Sequence, residues 1–148
     1  MAQTADAFVI DASVAVKWHL RDEENVREAS VLLDRFARGD VALAAPRSFR
    51  YEVSAAFTRA VRSRAPRLTQ EQGRLAITSV LSLAIMTLDA DSLILDSYEL
   101  SNRYGCTLYD ALYLATAQSL SLPFVTADRP LYELVRQHVQ ILWIGSYS

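Results

Sequence analysis

One cysteine, two histidines and a single lysine are found among 148 residues, and each shortage closes off a class of chemistry. With Cys106 alone, neither an internal disulfide nor a cysteine-based zinc cluster can form. His19 and His138 stand apart and offer no metal-ligand spacing. Only four glycines and four prolines occur, against 51% hydrophobic and 22% charged residues, which excludes low complexity and leaves ample apolar material for a core. Residues 1–6 lack the basic start and long apolar run of an export signal. The longest uncharged stretch, 111–127, contains Gln118, Ser119, Ser121 and Pro123. It falls short of the roughly 18 apolar residues that a membrane span needs. The expectation is one soluble, cytoplasmic domain over residues 1–148, with no membrane association.

A formal net charge of −2 argues against a general nucleic-acid coat protein. The distribution of charge says more. Lys17 is the only lysine, and between Arg47 and Arg74 seven arginines (47, 50, 59, 62, 64, 67 and 74) face only Glu52 and Glu71. Guanidinium forks match phosphate geometry, so this stretch suits RNA. It suits a solvated helix face or a partner surface equally well.

Strand and helix signals alternate along the chain. Phe8-Val9-Ile10 reads as a buried strand, followed by a helix to His19 that Ser13 would cap. Residues 22–38 have helical apolar spacing, with Gly39 as the stop. A strand over 41–45 leads to a helix from Ser48 to about Arg64, which Pro66 ends. Thr69 and Gln72 form a capping box for a helix over 70–84, before a weak strand at 85–88. Residues 91–104 are helical up to Gly105, and Thr107 caps an apolar helix over 108–120. A strand at 123–126, a short helix over 130–137 and a strand at 140–144 complete the pattern. The pattern predicts a three-layer α/β/α fold around a mainly parallel sheet of about five strands. Ligands of such sheets bind beyond the carboxyl ends of strands, where strand order reverses. Asp11 directly follows the first strand, and Asp128 lies two residues beyond Thr126.

Two more acids occupy costly positions. Glu52 has Phe49, Ala55 and Ala56 as its helical neighbours, and Asp110 is the only charge between Arg103 and Asp128. An unpaired carboxylate buried there costs several kcal/mol or stays protonated. No basic residue lies within a helical turn of Asp110, so a cation from outside is the economical partner. Crowded carboxylates raise one another's pKa values, and Mg²⁺ or Mn²⁺, which prefer hard oxygen ligands, reverse that balance. Such a site would activate water and polarise a phosphate. Each acid also has a plainer role open to it. Asp11 and Asp128 fit helix N-caps, Asp110 fits a capping box with Thr107, and Glu52 fits a surface pair with Arg50.

Four blocks carry a resemblance to a known family: Asp11-Ala-Ser-Val-Ala-Val-Lys-Trp18, Ala45-Pro-Arg-Ser-Phe-Arg-Tyr-Glu52-Val, Arg103-Tyr-Gly-Cys-Thr-Leu-Tyr-Asp110-Ala-Leu-Tyr-Leu-Ala115 and Phe124-Val-Thr-Ala-Asp128. In this order the chain resembles the PIN-domain toxins of the VapC type. Each block is loose alone, and the ordered set is specific. The resemblance implies a Mg²⁺- or Mn²⁺-dependent endoribonuclease, the toxin of a type II toxin–antitoxin pair. Its catalytic and metal-binding carboxylates would be Asp11, Glu52, Asp110 and Asp128. Ser13 and Thr126 would be hydroxyls that orient ligands or waters. It implies RNA as substrate, a VapB-type antitoxin whose tail fills the active-site groove, and a homodimer. Exposed apolar positions on the two helices between residues 48 and 84 are the candidates for those contacts. One position departs from the pattern: Ala55 stands where such proteins often have asparagine.

Two other classes stand beside this one. A phosphoryl-transfer domain with an aspartate nucleophile needs a lysine near the phosphoryl group, and Lys17 lies mid-helix in this reading. A non-catalytic PIN-like module would bind metal or RNA without cutting.

Overall fold

The computed structural model describes residues 5–148, so the part of the export-signal reading that falls on residues 1–4 lies outside it. Five strands, β1 (Asp6–Ile10), β2 (Val41–Pro46), β3 (Met86–Leu88), β4 (Phe124–Thr126) and β5 (Ile141–Trp143), form one sheet in the order β3-β2-β1-β4-β5. Every pairing is parallel, where the sequence pattern predicted mainly parallel. Val9 and Ile10 of β1 and Phe124 and Val125 of β4 are fully buried, because central strands of a parallel sheet are covered on both faces.

The helices are α1 (Ala12–Ala15), α2 (Val26–Ala37), α3 (Ser48–Arg62), α4 (Gln70–Ser82), α5 (Ile94–Tyr104), α6 (Leu108–Leu120) and α7 (Arg129–Val135). From β1 the chain steps to β2 and β3 on one side, then crosses to β4 and β5 on the other. Right-handed crossovers therefore place the helices of the two halves on opposite faces, giving three α/β/α layers. Connections leaving β1 and β4 depart in opposite directions, which opens a crevice at the carboxyl ends of these neighbours. The site is built there.

Local signals place most boundaries. Gly39 (φ +78°) ends α2 through a Schellman pattern: its N–H donates to Phe36 O and that of Asp40 to Arg35 O. Thr69 and Gln72 make both halves of the expected capping box on α4. Two expectations need correction. Ser13 does not cap the first helix, which starts at Ala12 and passes into a 3₁₀ turn at Val16–Trp18. Residues 22–25 are not helical either, since Asn25 adopts a left-handed conformation (φ 58°) and α2 starts after it. The exposed apolar face expected on α3 and α4 reduces to Tyr51 and Leu75. Larger exposure lies on α5 and the start of α6, at Ile94, Leu95, Tyr98, Leu108 and Tyr109. Among the described residues no helix is long and apolar enough to cross a membrane.

Lys17 explains how the non-helical segment is held. Its side chain is buried, and its ammonium donates to Glu24 O at 2.7 Å and pairs with Glu23 at 3.6 Å. Arg67, beyond the end of α3, grips the same segment through Asp22 and Glu23. The one lysine is thus engaged in architecture. Lys17→Ala is expected to lower the unfolding free energy by about 2 kcal/mol, through a lost charge-assisted bond and lost stem packing. Lys17→Met should cost less. Urea denaturation checks both, and equal stability of all three proteins would contradict the assignment.

Candidate active site

Asp11 is the first residue beyond β1, and register sets it beside the end of β4, where Ile10 pairs with Val125. The helix that starts at Ala12 turns the chain so sharply that the carboxylate stays in the crevice, only 6% exposed. Asp11 takes the N-cap position of α1 but makes no side-chain cap. Both its oxygens are turned to hydroxyls instead. Ser13 Oγ donates to Oδ1, and Thr126 Oγ1 donates to Oδ2 at 2.6 Å. Each hydroxyl also accepts from the loop after β4. The Ala127 N–H donates to Ser13 Oγ at 2.9 Å, and the Asp128 N–H donates to Thr126 Oγ1 at 3.0 Å. Two hydroxyls therefore fix Asp11 and pin the first strand's exit to the fourth's.

Asp128 performs the capping role the sequence allowed. Its Oδ1 accepts from the Leu131 N–H at 3.0 Å, with proline in the first turn of α7. Capping does not remove it from the site, because its charge raises the pKa of both Asp11 and Asp110. Thr107 caps α6 by accepting from the Asp110 N–H at 3.1 Å, so Asp110 sits in the first turn, half-buried. Glu52 does not pair with Arg50. It accepts from the Tyr113 hydroxyl at 2.8 Å, a bond between α3 and α6. Tyr113 was not singled out from the sequence. The signal was available: it lies three residues after Asp110, on the same face of its helix. Ser48, one turn before Glu52, holds the one buried side-chain polar atom without a partner among the described residues.

The electrostatics have one sign. Burial raises the Asp11 pKa to about 6; the Ser13 and Thr126 hydroxyls oppose this and the Asp128 charge adds to it. Glu52 is raised by burial, opposed by the Tyr113 hydroxyl and increased by Asp110. Asp110 is raised by burial, with Thr107 opposing and Asp128 adding. Burial and the adjacent carboxylate of Glu52 hold Tyr113 as a neutral donor. Among the described residues none of the four carboxylates enters an ion pair. The histidines are elsewhere, His19 packed edge-on against Phe57 and His138 stacked on Tyr104.

A mutually repelling, half-buried set of hard oxygens with no cationic side chain fits a divalent cation. Among the described residues no three acidic, histidine or cysteine side chains close into a ready cage. Mg²⁺ does not require one, since it keeps several waters and binds through one or two carboxylates together with substrate phosphate. The donors thus suit an open, water-rich metal site.

Comparisons with known proteins bear on the family and the fold. The family described as PIN domain matches residues 8–136. No curated protein matches the sequence significantly. Among solved structures, PAE2754 from Pyrobaculum aerophilum is 22% identical, with a TM-score of 0.66 over 97% of this chain and 94% of that one. The Mycobacterium tuberculosis toxin VapC20, named as cleaving the sarcin-ricin loop, is 13% identical, with a TM-score of 0.63 over 85% and 93% of the two chains. A chain of the Rickettsia felis VapBC2 complex, bound to a promoter DNA fragment, is 12% identical, with a TM-score of 0.61 over 93% and 98%. At these identities the likeness is one of fold.

The pKa directions set two expectations. Because Asp11 holds its proton up to about pH 6 in the fold, against an ordinary 3.8, the folded state binds more protons within that window. Its stability therefore rises as pH falls from 6 towards 3.8, and the burial penalty is complete above 6. In EDTA, Asp11→Asn is expected to be more stable than the parent by about 1–2 kcal/mol near pH 8, a gain that vanishes towards pH 4. Melting curves across pH check it, and no gain at alkaline pH would count against an ionised, uncompensated Asp11. Tyr113→Phe should move the Glu52 carboxyl further up; an unchanged ¹³C titration of Glu52 would show that the tyrosine does not hold it.

Proposed function

The chain belongs to the PIN domain family, and from that premise we propose that it is a Mg²⁺- or Mn²⁺-dependent endoribonuclease acting as the toxin of a toxin–antitoxin pair. The observation that carries the reading is the buried, unpaired Asp11 at the point where strand order reverses, linked to the other acids through a chain of repulsion in which Asp128 acts on Asp11 and Asp110, and Asp110 acts on Glu52. Support for the biological setting comes from proteins of similar fold. One is named a sarcin-ricin-loop-cleaving toxin, and others are toxin–antitoxin complexes, from Klebsiella pneumoniae among other sources.

The chemistry would divide between the cation and the chain. Asp11, Glu52, Asp110 and Asp128 would hold Mg²⁺ or Mn²⁺, which would supply charge neutralisation for the phosphate and acidification of water. The protein supplies position. Ser13 and Thr126 hold both oxygens of Asp11 in a fixed orientation and, by hydrogen bonding to the charged form, oppose its protonation. Tyr113 does the same for Glu52 from another helix. Thr107 and the cap made by Asp128 fix the starts of α6 and α7 at the crevice rim. Preorganised groups of this kind need no rearrangement when charge develops on the reacting phosphate.

A VapB-type antitoxin is the partner in this reading, its tail occupying the active-site groove. The exposed apolar positions on α5 and the start of α6 are the face for a homodimer.

Asp110→Asn is nearly isosteric and should leave the fold intact while removing RNA cleavage, by more than the roughly 100-fold that loss of an outer-sphere partner costs. Growth inhibition on expression should disappear with it. Cleavage by Asp110→Asn at the parent rate would refute the assignment. Mn²⁺ binding by calorimetry, with no cleavage of a broad RNA panel, would instead make the protein a PIN-like binding module.

A further inference from the structure

The acid site does not end at Glu52. Along α3, Glu52, Ala55, Ala56 and Arg59 recur at three- and four-residue spacing and so form one stripe on the helix surface. This stripe faces Ala12, Ser13 and Val16 across a cavity of about 360 Å³. Ser13 and Glu52 belong to the acid site, small side chains form much of the lining, and Arg59 closes the far end. A second cavity, of about 480 Å³, is lined by Thr58, Arg59, Arg62 and Ser63 and therefore shares Arg59 with the first. The two share Arg59, so the groove along α3 has a carboxylate at one end and guanidiniums at the other. Arg59 and Arg62 are exposed and, among the described residues, enter no ion pair. By contrast Arg67, a few residues on, is committed to Asp22 and Glu23.

We propose that this groove is a backbone track for single-stranded RNA, in which Arg59 holds a phosphate next to the one cut and Arg62 holds one beyond it. The inference rests on the nuclease reading for the identity of the acid end. Arg59 lies seven residues from Glu52, a rise of roughly 10 Å along the helix. At that spacing it is better placed for a neighbouring phosphate than for the one over the carboxylates. A polyanionic strand satisfies both ends at once, a phosphate with its cation at the acids and a bare phosphate at the guanidinium. An acidic peptide would satisfy only the arginines. Shape also favours a strand: small side chains leave room for ribose, and charge at intervals tracks a backbone without reading sequence.

The division of labour gives Arg59 a signature. It positions substrate without touching the reacting bond, so its loss should weaken binding and spare turnover. The probe is a fluorescein-labelled, unstructured single-stranded RNA of mixed sequence. Arg59→Ala is expected to raise KM about tenfold with kcat within about twofold of the parent. In the Asp110→Asn background, which binds without cutting, anisotropy across a salt series should show the log–log slope falling by about 0.7 for Arg59→Ala. It should fall by about 1.4 for Arg59→Ala with Arg62→Ala. Arg59→Lys, which keeps the charge, should preserve the slope. Arg38→Ala, in the pair with Asp40 at the other end of the sheet, should change nothing.

An unchanged KM and slope in Arg59→Ala, a loss confined to kcat, or no RNA binding at all overturns the track. Binding with the Arg59-dependent slope, but no cleavage by the parent protein, leaves the track standing and removes the nuclease reading. Cleavage that is indifferent to Arg59 does the reverse.

Discussion

Asp11 is a carboxylate withdrawn from water with no cationic side chain to meet it. Its position follows from topology: the chain leaves the central β1 towards β2 and leaves its parallel neighbour β4 towards β5, and the residue after β1 falls into the crevice between the two exits. Burial favours the neutral acid, while the Ser13 and Thr126 hydroxyls favour the ion. The balance leaves a group ready to ionise whenever positive charge arrives. Glu52 and Asp110 are under the same tension, and neighbouring charge increases it, since Asp128 acts on Asp11 and Asp110, and Asp110 acts on Glu52.

The site is also part of the scaffold. Thr126 is fully buried and links the carboxylate after β1 to the backbone after β4, so the same hydroxyl that orients Asp11 closes the two loops together. Asp128 starts α7 with one oxygen while its charge acts on the crevice. Tyr113, almost fully buried, passes through the core and ends on Glu52, which couples α6 to α3. Capping and chemistry, alternatives when each acid is considered alone, are compatible because a carboxylate has two oxygens and several lone pairs. One can hold a helix end while the others remain free.

Beyond the carboxylates, the sign of charge reverses within one helix. α3 carries Glu52 near its start and Arg59 and Arg62 in its last turn, a distribution that suits the helix dipole at its carboxyl end. Arg67 is absorbed in holding the segment before α2, and Lys17 is buried beneath that segment. Of the arginine-rich stretch, then, part is architecture and part lines a groove. The sequence left a phosphate surface, a solvated face and a partner surface open for this stretch; in the fold Arg67 is tied to Asp22 and Glu23 while Arg59 and Arg62 stay exposed.

The sequence alone determined what depends on neighbours a few residues apart. Alternating apolar runs defined strands and helices, Thr69 with Gln72 made a capping box, Gly39 and Gly105 ended helices, and the sheet's parallel character followed from the alternation. It also marked the acids as anomalous, because a lone charge in an apolar helix is visible without coordinates. Only tertiary structure decided the rest. Ser13 looked like a cap because of its place before an apolar helical run, yet its hydroxyl bonds Asp11 and meets Ala127, 114 positions away. Glu52 looked free to pair with Arg50 until α6 delivered Tyr113 across 61 positions. Those partners are chosen by strand register and helix packing, which sum many weak contacts over the whole chain, and no short window of residues contains that sum.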